Sequence, residues 1–523
     1  MLGGNKSTSI KIPERMNLAE IMVDLSAEKY RKKDALICVG SREMGMDEEK
    51  VSFEELKQLT DSTAVGFQNE GMCFDDRVLL ILPDSIDFYL AFYGAVKLGA
   101  IPIPVNTYLG IDDYRYYLED SRARYAVVFS KYDRALKACE NSKYLRGVFD
   151  ENDLRKLAKG EVRDFTPLRM SKDSMAFWLY SSGTTGLPKG VVHLQHDPLV
   201  ICENIVRRVY DINESDVCYS VSKLFFSYGL SSCGFGSLYS GATTILDPER
   251  PDISRTIDIL EKYKPSVLFT VPSFYARLVK ERTPGNHNLR MAVSGGEPLP
   301  ESVWYKFKEK YGVEIVEHIG STEALYAFIG NYPGKVKPGY TGVVLPGWEV
   351  KLVNDEGREI EGDGTGKLLV KGDSIAAFYW EKHEKTKSTF LGEWYDTGDT
   401  FMREGRYYRH YGRADDLIKT RGLWVSPIRV ENALLKHPAV MECAVVQGFN
   451  ENELEVVACY IILSDGYKED VLDELKTFLR DQGLKGFEIP EKWVFVEDLP
   501  RTATGKIQRY KLRLLERERA FGN

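Results

Sequence analysis

Up to Gly347 the chain alternates short, wholly apolar runs with longer runs whose apolar residues recur every three to four positions. RVLLILP (77–83) is of the first kind and predicts a buried strand. Asp84 or Ser85 is placed to cap a helix after it, and Gly99 to stop that helix. ARYAVVFS, DVCYSVS, ATTILDP and PSVLFTVP repeat the strand pattern. PESVWYKFKEKYG reads as an amphipathic helix closed by Gly312. Such alternation predicts an α/β architecture built on largely parallel sheets.

After Gly347 the period changes. EVKLVNDEGREIEGDGTGKLLVKG predicts two strands around an Asn-Asp-Glu-Gly turn, a hairpin or small β-barrel-like subdomain. GRADDLIKTRG (412–422) is charged and turn-rich and marks a domain junction. Beyond it the helix SPIRVENALLKHP, strands MECAVVQGF and LEVVACYIIL, helix KEDVLDELKTFLRDQG and strand KWVFVEDLP predict a small α+β unit. The expected division is a large N-terminal domain of α/β sheet subdomains, 1–414, and a small C-terminal domain, 415–523. A chain of 523 residues can bury both cores.

Composition narrows the function classes. A net charge of −8 argues against a general nucleic-acid binder, while leaving room for a local basic site. The eight cysteines form no CxxC pair, and the seven histidines show no metal-ligand spacing. Scattered reduced thiols, no apolar core in MLGGNKSTSIKIPERMN and no apolar run of spanning length predict a cytoplasmic protein without a membrane span.

The chemistry concentrates in YSSGTTGLPKGVVH (180–193). Gly183, Gly186 and Gly190 allow backbone N–H groups to converge, Ser181, Ser182, Thr184 and Thr185 add hydroxyls, and Lys189 adds charge. This is a phosphate cradle of the wrong order for a Walker loop. Lys189 follows Pro188 rather than glycine, no Ser or Thr follows it, and VVHL continues as a strand. A helix is expected only from the Asp197-Pro198 pair, a cap and first-turn combination.

YSSGTTGLPKG is followed, in order, by VSGGEPLP (293–300), HIGSTEA (318–324), YDTGD (395–399), GRADDLIKTRG (412–422) and PRTATGKIQR (500–509). The ordered set spans the chain. It resembles the adenylate-forming superfamily: acyl- and aryl-CoA synthetases, carrier-loading adenylation domains and firefly luciferase. That resemblance implies a two-step reaction using ATP, Mg2+ and coenzyme A. A carboxylate attacks the α-phosphorus of ATP, and a thiol then attacks the acyl-adenylate.

The resemblance also implies roles. Thr184, Thr185 and Lys189, with Ser181, Ser182 and Gly183, would hold the departing phosphates. Glu323 would bind Mg2+, although Ser321-Thr322-Glu323 alone is equally a helix-capping sequence. Thr322 would contact the α-phosphate. Gly296, Glu297 and Pro298 would pass the adenine, with Glu317, His318, Ile319, Gly320 and Ser321 completing the nucleotide-facing segment. Asp399 and Arg413 would hold the ribose. Lys506 would bridge the attacking carboxylate and the nucleotide, which places Lys506, Thr184 and Glu323 as the catalytic set. Asp415 would be the hinge of a mobile C-terminal domain, and Gly422 would line the coenzyme A channel.

The acyl pocket would be formed by Phe226, Ser227, Tyr228, Ser294, Gly295 and Tyr326. LFFSYGL, IGSTE and WVSP resemble the benzoate-CoA ligase branch, which implies benzoate or a related aromatic or compact cyclic acid. Two positions depart from that branch: Tyr326 stands where His is expected, and Arg421 where a small residue is usual. A stand-alone adenylation enzyme loading a carrier protein, or a short- or medium-chain fatty acyl-CoA synthetase, also fits. A second copy of the chain is a further partner left open.

Overall fold

The computed structural model of the protein describes residues 10–160, 162, 165–181, 187–413, 416–420, 423–451, 454–501 and 507–521. The wholly apolar runs become parallel strands because both of their faces are covered. Arg77–Ile81 lies between Ile101–Pro104 and Tyr125–Val128 in a four-stranded sheet completed by Gly147–Phe149. Val78 and Leu80 face one core, Leu79 and Ile81 another. Ser85 caps the next helix, Ile86–Lys97, by accepting from the Phe88 N–H, and Gly99 at φ 76° ends it. Every residue of this helix is buried, as expected for a helix sandwiched between layers.

The second layer is a nine-stranded sheet in the order 343–344, 327–330, 315–320, 291–294, 267–270, 217–220, 243–246, 34–38, 49–52. Pairing is parallel from 315–320 through to 34–38 and antiparallel at both edges. Ile253–Lys262, Pro272–Leu278 and Glu301–Tyr311 cover one face. Ile86–Lys97 shares the core on the other face with Leu246, Phe269 and Val293.

Beside a short antiparallel pair, Arg15–Met16 with Met170–Ser171, two larger antiparallel units complete the large domain. Met175–Ser181 and Lys189–Leu194 form a hairpin, extended by Phe378–Tyr379. Trp348–Val353, Gly364–Gly372, Trp394–Glu404, Phe390–Leu391 and Tyr407–Arg413 form a five-stranded sheet. Asn354 makes the expected turn by accepting from the Glu356 and Arg358 N–H groups. The two strands around it pair directly, Val353 opposite Lys367. In the small unit, Val440–Phe449, Glu455–Leu463 and Lys492–Phe495 form a sheet, with Pro427–Leu434 and Leu472–Asp481 on one face and Arg509–Phe521 on the other. Ile418 and Val425 already belong to that small core.

Candidate active site

The hairpin explains why Lys189 does not open a helix. Ser181 and Lys189 are register partners at its mouth, with Gly190 opposite Tyr180. The connecting loop, including Ser182, Gly183, Thr184, Thr185 and Gly186, lies outside the described residues. Lys506, Asp415, Arg421 and Gly422 lie outside them as well. The helix Asp197–Ile201 does form, but Asp197 does not cap it. Its carboxylate turns back to accept from the Leu194 N–H at 3.1 Å and from His193 Nδ1 at 2.7 Å.

Glu323 faces the hairpin mouth. No helix follows Ser321-Thr322: the segment is a tight turn before Ala327–Gly330, so the capping alternative falls away. Ser321 Oγ accepts from the Ala324 N–H at 3.1 Å, and Leu325 sits at φ 66°, a strained conformation for leucine. Glu323 Oε1 accepts from Tyr379 Oη at 2.8 Å and Ser181 Oγ at 3.4 Å, and Oε2 from Tyr395 Oη at 3.3 Å. Lys189 Nζ stands 3.8 Å from Oε1 and 4.2 Å from the centroid of the Tyr379 ring. Burial holds the Lys189 ammonium below the usual lysine range, with Glu323 opposing. Tyr379 and Tyr395 were not assigned a role from the sequence. Tyr379 in AAFYW carries no sign but an apolar setting, and Tyr395 is a plain member of the YDTGD run.

The donor set suits the cation named above. Mg2+ is hard and takes one or two carboxylates together with substrate phosphates. Glu323 is one carboxylate among hydroxyls, and the described residues hold no cluster of three or more His, Cys, Asp or Glu that would form a closed metal cage.

The segments expected to bracket the nucleotide are brought to the same end of the sheet. Gly296 adopts φ 90° just beyond Met291–Ser294. A Cβ on Gly295 would lie 2.6 Å from His318 Nε2, so only glycine lets that ring approach. Glu317 turns toward this loop and accepts from the Leu299 N–H at 3.1 Å. Burial raises its carboxyl to about 8. This bond ties the loop after Met291–Ser294 to the strand Ile315–Gly320. Ile319 packs toward the core of the five-stranded sheet, and Gly320 lies against the Tyr326 carbonyl. Asp399 is the register partner of Arg413 and lies 3.3 Å from His410 Nε2. A Cβ on Gly398 would sit 2.8 Å from the Arg413 guanidinium.

The residues expected around an acyl group form an aromatic, uncharged cluster. Tyr228 Oη donates to the Val293 carbonyl at 2.8 Å. Ser232 Oγ donates to the Tyr228 carbonyl at 2.6 Å and therefore accepts from Tyr326 Oη, 3.0 Å away. His318 Nδ1 lies 2.6 Å from Tyr210 Oη, and burial pulls the imidazole down to about 3. The His318 ring packs within 5.3 Å of Tyr228 and 5.2 Å of Tyr326. Phe226 packs edge-on to Phe225 at 4.5 Å, one residue before the Ser227–Gly229 turn. Ser294 is the register partner of Glu317 and, by strand alternation, lies on the sheet face of Ala292, opposite Val293 and the aromatic cluster. Adjacency to Gly295 in sequence does not place it there, because strand side chains alternate faces. Tyr210, Ser232 and the role of His318 in the cluster went unnoticed, since buried tyrosines and serines carry no periodic mark.

The chain is similar to known proteins over nearly its whole length. The model of the AMP-binding enzyme family matches residues 23–380, and that of the AMP-binding enzyme C-terminal domain matches 429–506. A benzoate–CoA ligase of Thauera aromatica is 37% identical over 527 residues, covering 97% of this chain and 98% of the relative. A 4-hydroxybenzoate–CoA/benzoate–CoA ligase of Rhodopseudomonas palustris is 37% identical over 480 residues, 88% of each chain. Among solved structures, the benzoate CoA ligase of Burkholderia xenovorans superimposes with a TM-score of 0.87 at 33% identity, over 95% of this chain and 100% of the other. The anthranilate CoA ligase AuaEII in complex with anthranoyl-AMP gives a TM-score of 0.91 at 31% identity, over 97% and 99%. Matched over most of its length by both models and by full-length relatives, the chain belongs to the AMP-binding enzyme family.

Proposed function

We propose that this protein is an AMP-forming carboxylate–CoA ligase acting on an aromatic acid, benzoate or a hydroxy- or amino-substituted relative of it. One observation carries the reading: Glu323 is held at the mouth of the Ser181–Lys189 hairpin, on the turn that leads into the aromatic Tyr228–His318–Tyr326 cluster. A site for a polyanion and a site for a flat, uncharged ring thus meet at Ser321–Tyr326.

The reaction uses ATP, Mg2+ and coenzyme A. In its first half an acid oxygen bonds to the α-phosphorus of ATP as the bond to the bridging oxygen breaks and pyrophosphate leaves. Two anions must approach, so the protein contributes positioning and neutralising charge. Lys189 and Ser181, with Thr184, Thr185, Ser182 and Gly183, hold the departing phosphates. Glu323 would hold Mg2+, which would supply charge shielding of the phosphates. Thr322 orients the α-phosphate, Asp399 and Arg413 hold the ribose, and Lys506 meets the attacking carboxylate. In the second half the coenzyme A sulfur bonds to the acyl carbon and AMP leaves. We place the domain boundary between 414 and 415, with Asp415 as hinge and Gly422 at the thiol channel. The membership of Ile418 in the small core supports a junction just before it. Among the described residues no helix is long and apolar enough to cross a membrane. All eight cysteines are free and all but Cys73 are buried, which suits a cytoplasmic setting.

The test is pyrophosphate release across a panel of aromatic, alicyclic and aliphatic acids, with and without coenzyme A. Aromatic acids should give the highest kcat/KM, and thioester should form only with coenzyme A. Preference for aliphatic acids, or adenylate without thioester, overturns the reading. Lys506→Ala should abolish adenylate formation while sparing thioester formation from supplied aryl-adenylate; equal loss of both halves removes Lys506 from its role.

A further inference from the structure

In the turn that carries Thr322 and Glu323, each of the four carbonyls from Thr322 to Leu325 bonds a group from outside the turn. The Glu323 carbonyl accepts from the Ala376 N–H at 2.7 Å, that of Ala324 from Ser374 Oγ at 3.2 Å, and that of Leu325 from Ser231 Oγ at 3.0 Å. The Thr322 carbonyl accepts from the Leu325 N–H at 3.1 Å and from His193 Nε2 at 2.8 Å. Leu325 at φ 66° shows that the turn holds a shape its own residues resist.

His193 differs from the other clamps. It lies on the strand whose first residue is Lys189, so one rigid element carries both the phosphate-facing cation and the clamp. Its other nitrogen, Nδ1, meets the Asp197 carboxylate at 2.7 Å. One ring nitrogen faces a carboxylate and the other a carbonyl, so the imidazole bridges the Asp197 side chain and the Thr322 backbone. His193 and Asp197 are both fully buried, and Phe177 stacks on the imidazole at 5.3 Å and 19°. The result is a closed circuit. Lys189 leads along its strand to His193, His193 bonds Thr322, Thr322 adjoins Glu323, and Glu323 lies 3.8 Å from Lys189.

We infer that the His193–Asp197 pair is a positioning device for adenylation: it fixes Thr322 and Glu323 relative to the Lys189 hairpin, without touching substrate. The inference rests on the reading of Glu323 as metal-binding given above. It predicts a selective defect. Adenylation needs the hairpin and the turn in register, whereas thioester formation begins after pyrophosphate has gone.

The experiment compares His193→Gln, His193→Asn, Asp197→Asn and Glu323→Gln. Benzoate, 4-hydroxybenzoate and 2-aminobenzoate are assayed in parallel for pyrophosphate release, and the matching aryl-adenylates for thioester formation. A Gln amide reaches the position of Nε2 and keeps a donor to Thr322; an Asn amide reaches only Asp197. His193→Asn should slow adenylation by about 30-fold or more, in kcat and with a raised Mg2+ requirement, and change thioester formation by less than about threefold. His193→Gln should recover adenylation to within about fivefold of the native enzyme at a similar thermal midpoint. Asp197→Asn should fall between them, and supplies the same test if His193→Asn fails to fold. Equal losses for Asn and Gln, parallel losses in both half-reactions, or no loss in adenylation overturns the positioning role. Native adenylation by Glu323→Gln instead overturns the reading of Glu323, which separates the two failures.

Discussion

The two ends of the site are built from opposite materials. At the phosphate end, Ser181, Lys189, Tyr379 and Tyr395 come from two sheets and Glu323 from the turn before Ala327–Gly330, and together they hold a carboxylate and an ammonium in partial burial. At the acyl end, Tyr210, Tyr228, His318, Tyr326 and Ser232 are uncharged, and burial keeps His318 neutral. On the proposed reading, the first end would use charge where charge must be moved and the second shape where a ring must be sorted. Substitutions should therefore separate into changes of rate at one end and of selectivity at the other.

Glu323→Gln is the strongest test of that division. It removes the carboxylate and keeps the shape. Adenylation should fall by about 10³-fold for every acid, with the order of preference unchanged. A changed order would mean that the two ends are not independent. Lys189→Ala comes next. Loss of one cation at the departing phosphates should cost about 10- to 100-fold in kcat/KM for ATP, again without reordering the acids. Steady-state pyrophosphate release over the acid panel measures both.

The same contrast decides what could be read from the chain beforehand. Charge chemistry admits few residue types, so Lys189, Glu323 and Asp399 stood out within ordered motifs. The strands did as well, because runs such as Val78–Ile81 are apolar on both faces. Aromatic walls look like core, and here they are core: Tyr326 and Tyr228 pack with the main apolar cluster. Tyr210 and Ser232 are found only when the chain folds back on itself. Ser294 follows Val293 in its strand and so faces away from the cluster that Val293 joins, which sequence adjacency does not reveal. His193 lay in the quoted loop motif and passed as a strand residue. The usable signal was a histidine inside an apolar strand with aspartate four residues on, and Asp197 was read as a cap instead.

At the acyl end the expected effects are smaller and selective. Tyr326→His shortens the side chain and releases Ser232 Oγ from its present partner. The ratio of kcat/KM for benzoate to that for hydroxybenzoates should rise about tenfold, while adenylation with the preferred acid changes little. An unchanged ratio removes Tyr326 from the pocket wall. Ser232→Ala, which frees the Tyr326 hydroxyl without changing pocket volume at the ring, should move the same ratio by only about two- to threefold.

The last effect concerns stability rather than rate or selectivity, and it tests whether the border between the two ends is as dry as its geometry implies. Glu317 and His318 are adjacent and buried, with opposite shifts. Burial raises the Glu317 carboxyl from 4.5 to about 8 and lowers the His318 imidazole from 6.5 to about 3. Between pH 4.5 and 8 the folded protein keeps a Glu317 proton that the unfolded chain has released, so stability falls as pH rises through that window. Between pH 6.5 and 3 the unfolded chain binds a His318 proton that the folded protein refuses, so stability falls as pH drops. Each slope is at most about 1.4 kcal/mol per pH unit, and the two oppose each other where the windows overlap. Glu317→Gln should gain stability relative to the native protein steadily as pH rises toward 8. His318→Gln should gain as pH falls below 6.5, whatever the fixed cost of either substitution. Thermal midpoints of the three proteins across this range measure the differences. Midpoint differences that stay flat with pH would mean that water reaches both groups, and that the acyl end is not the uncharged, sealed counterpart of the phosphate end.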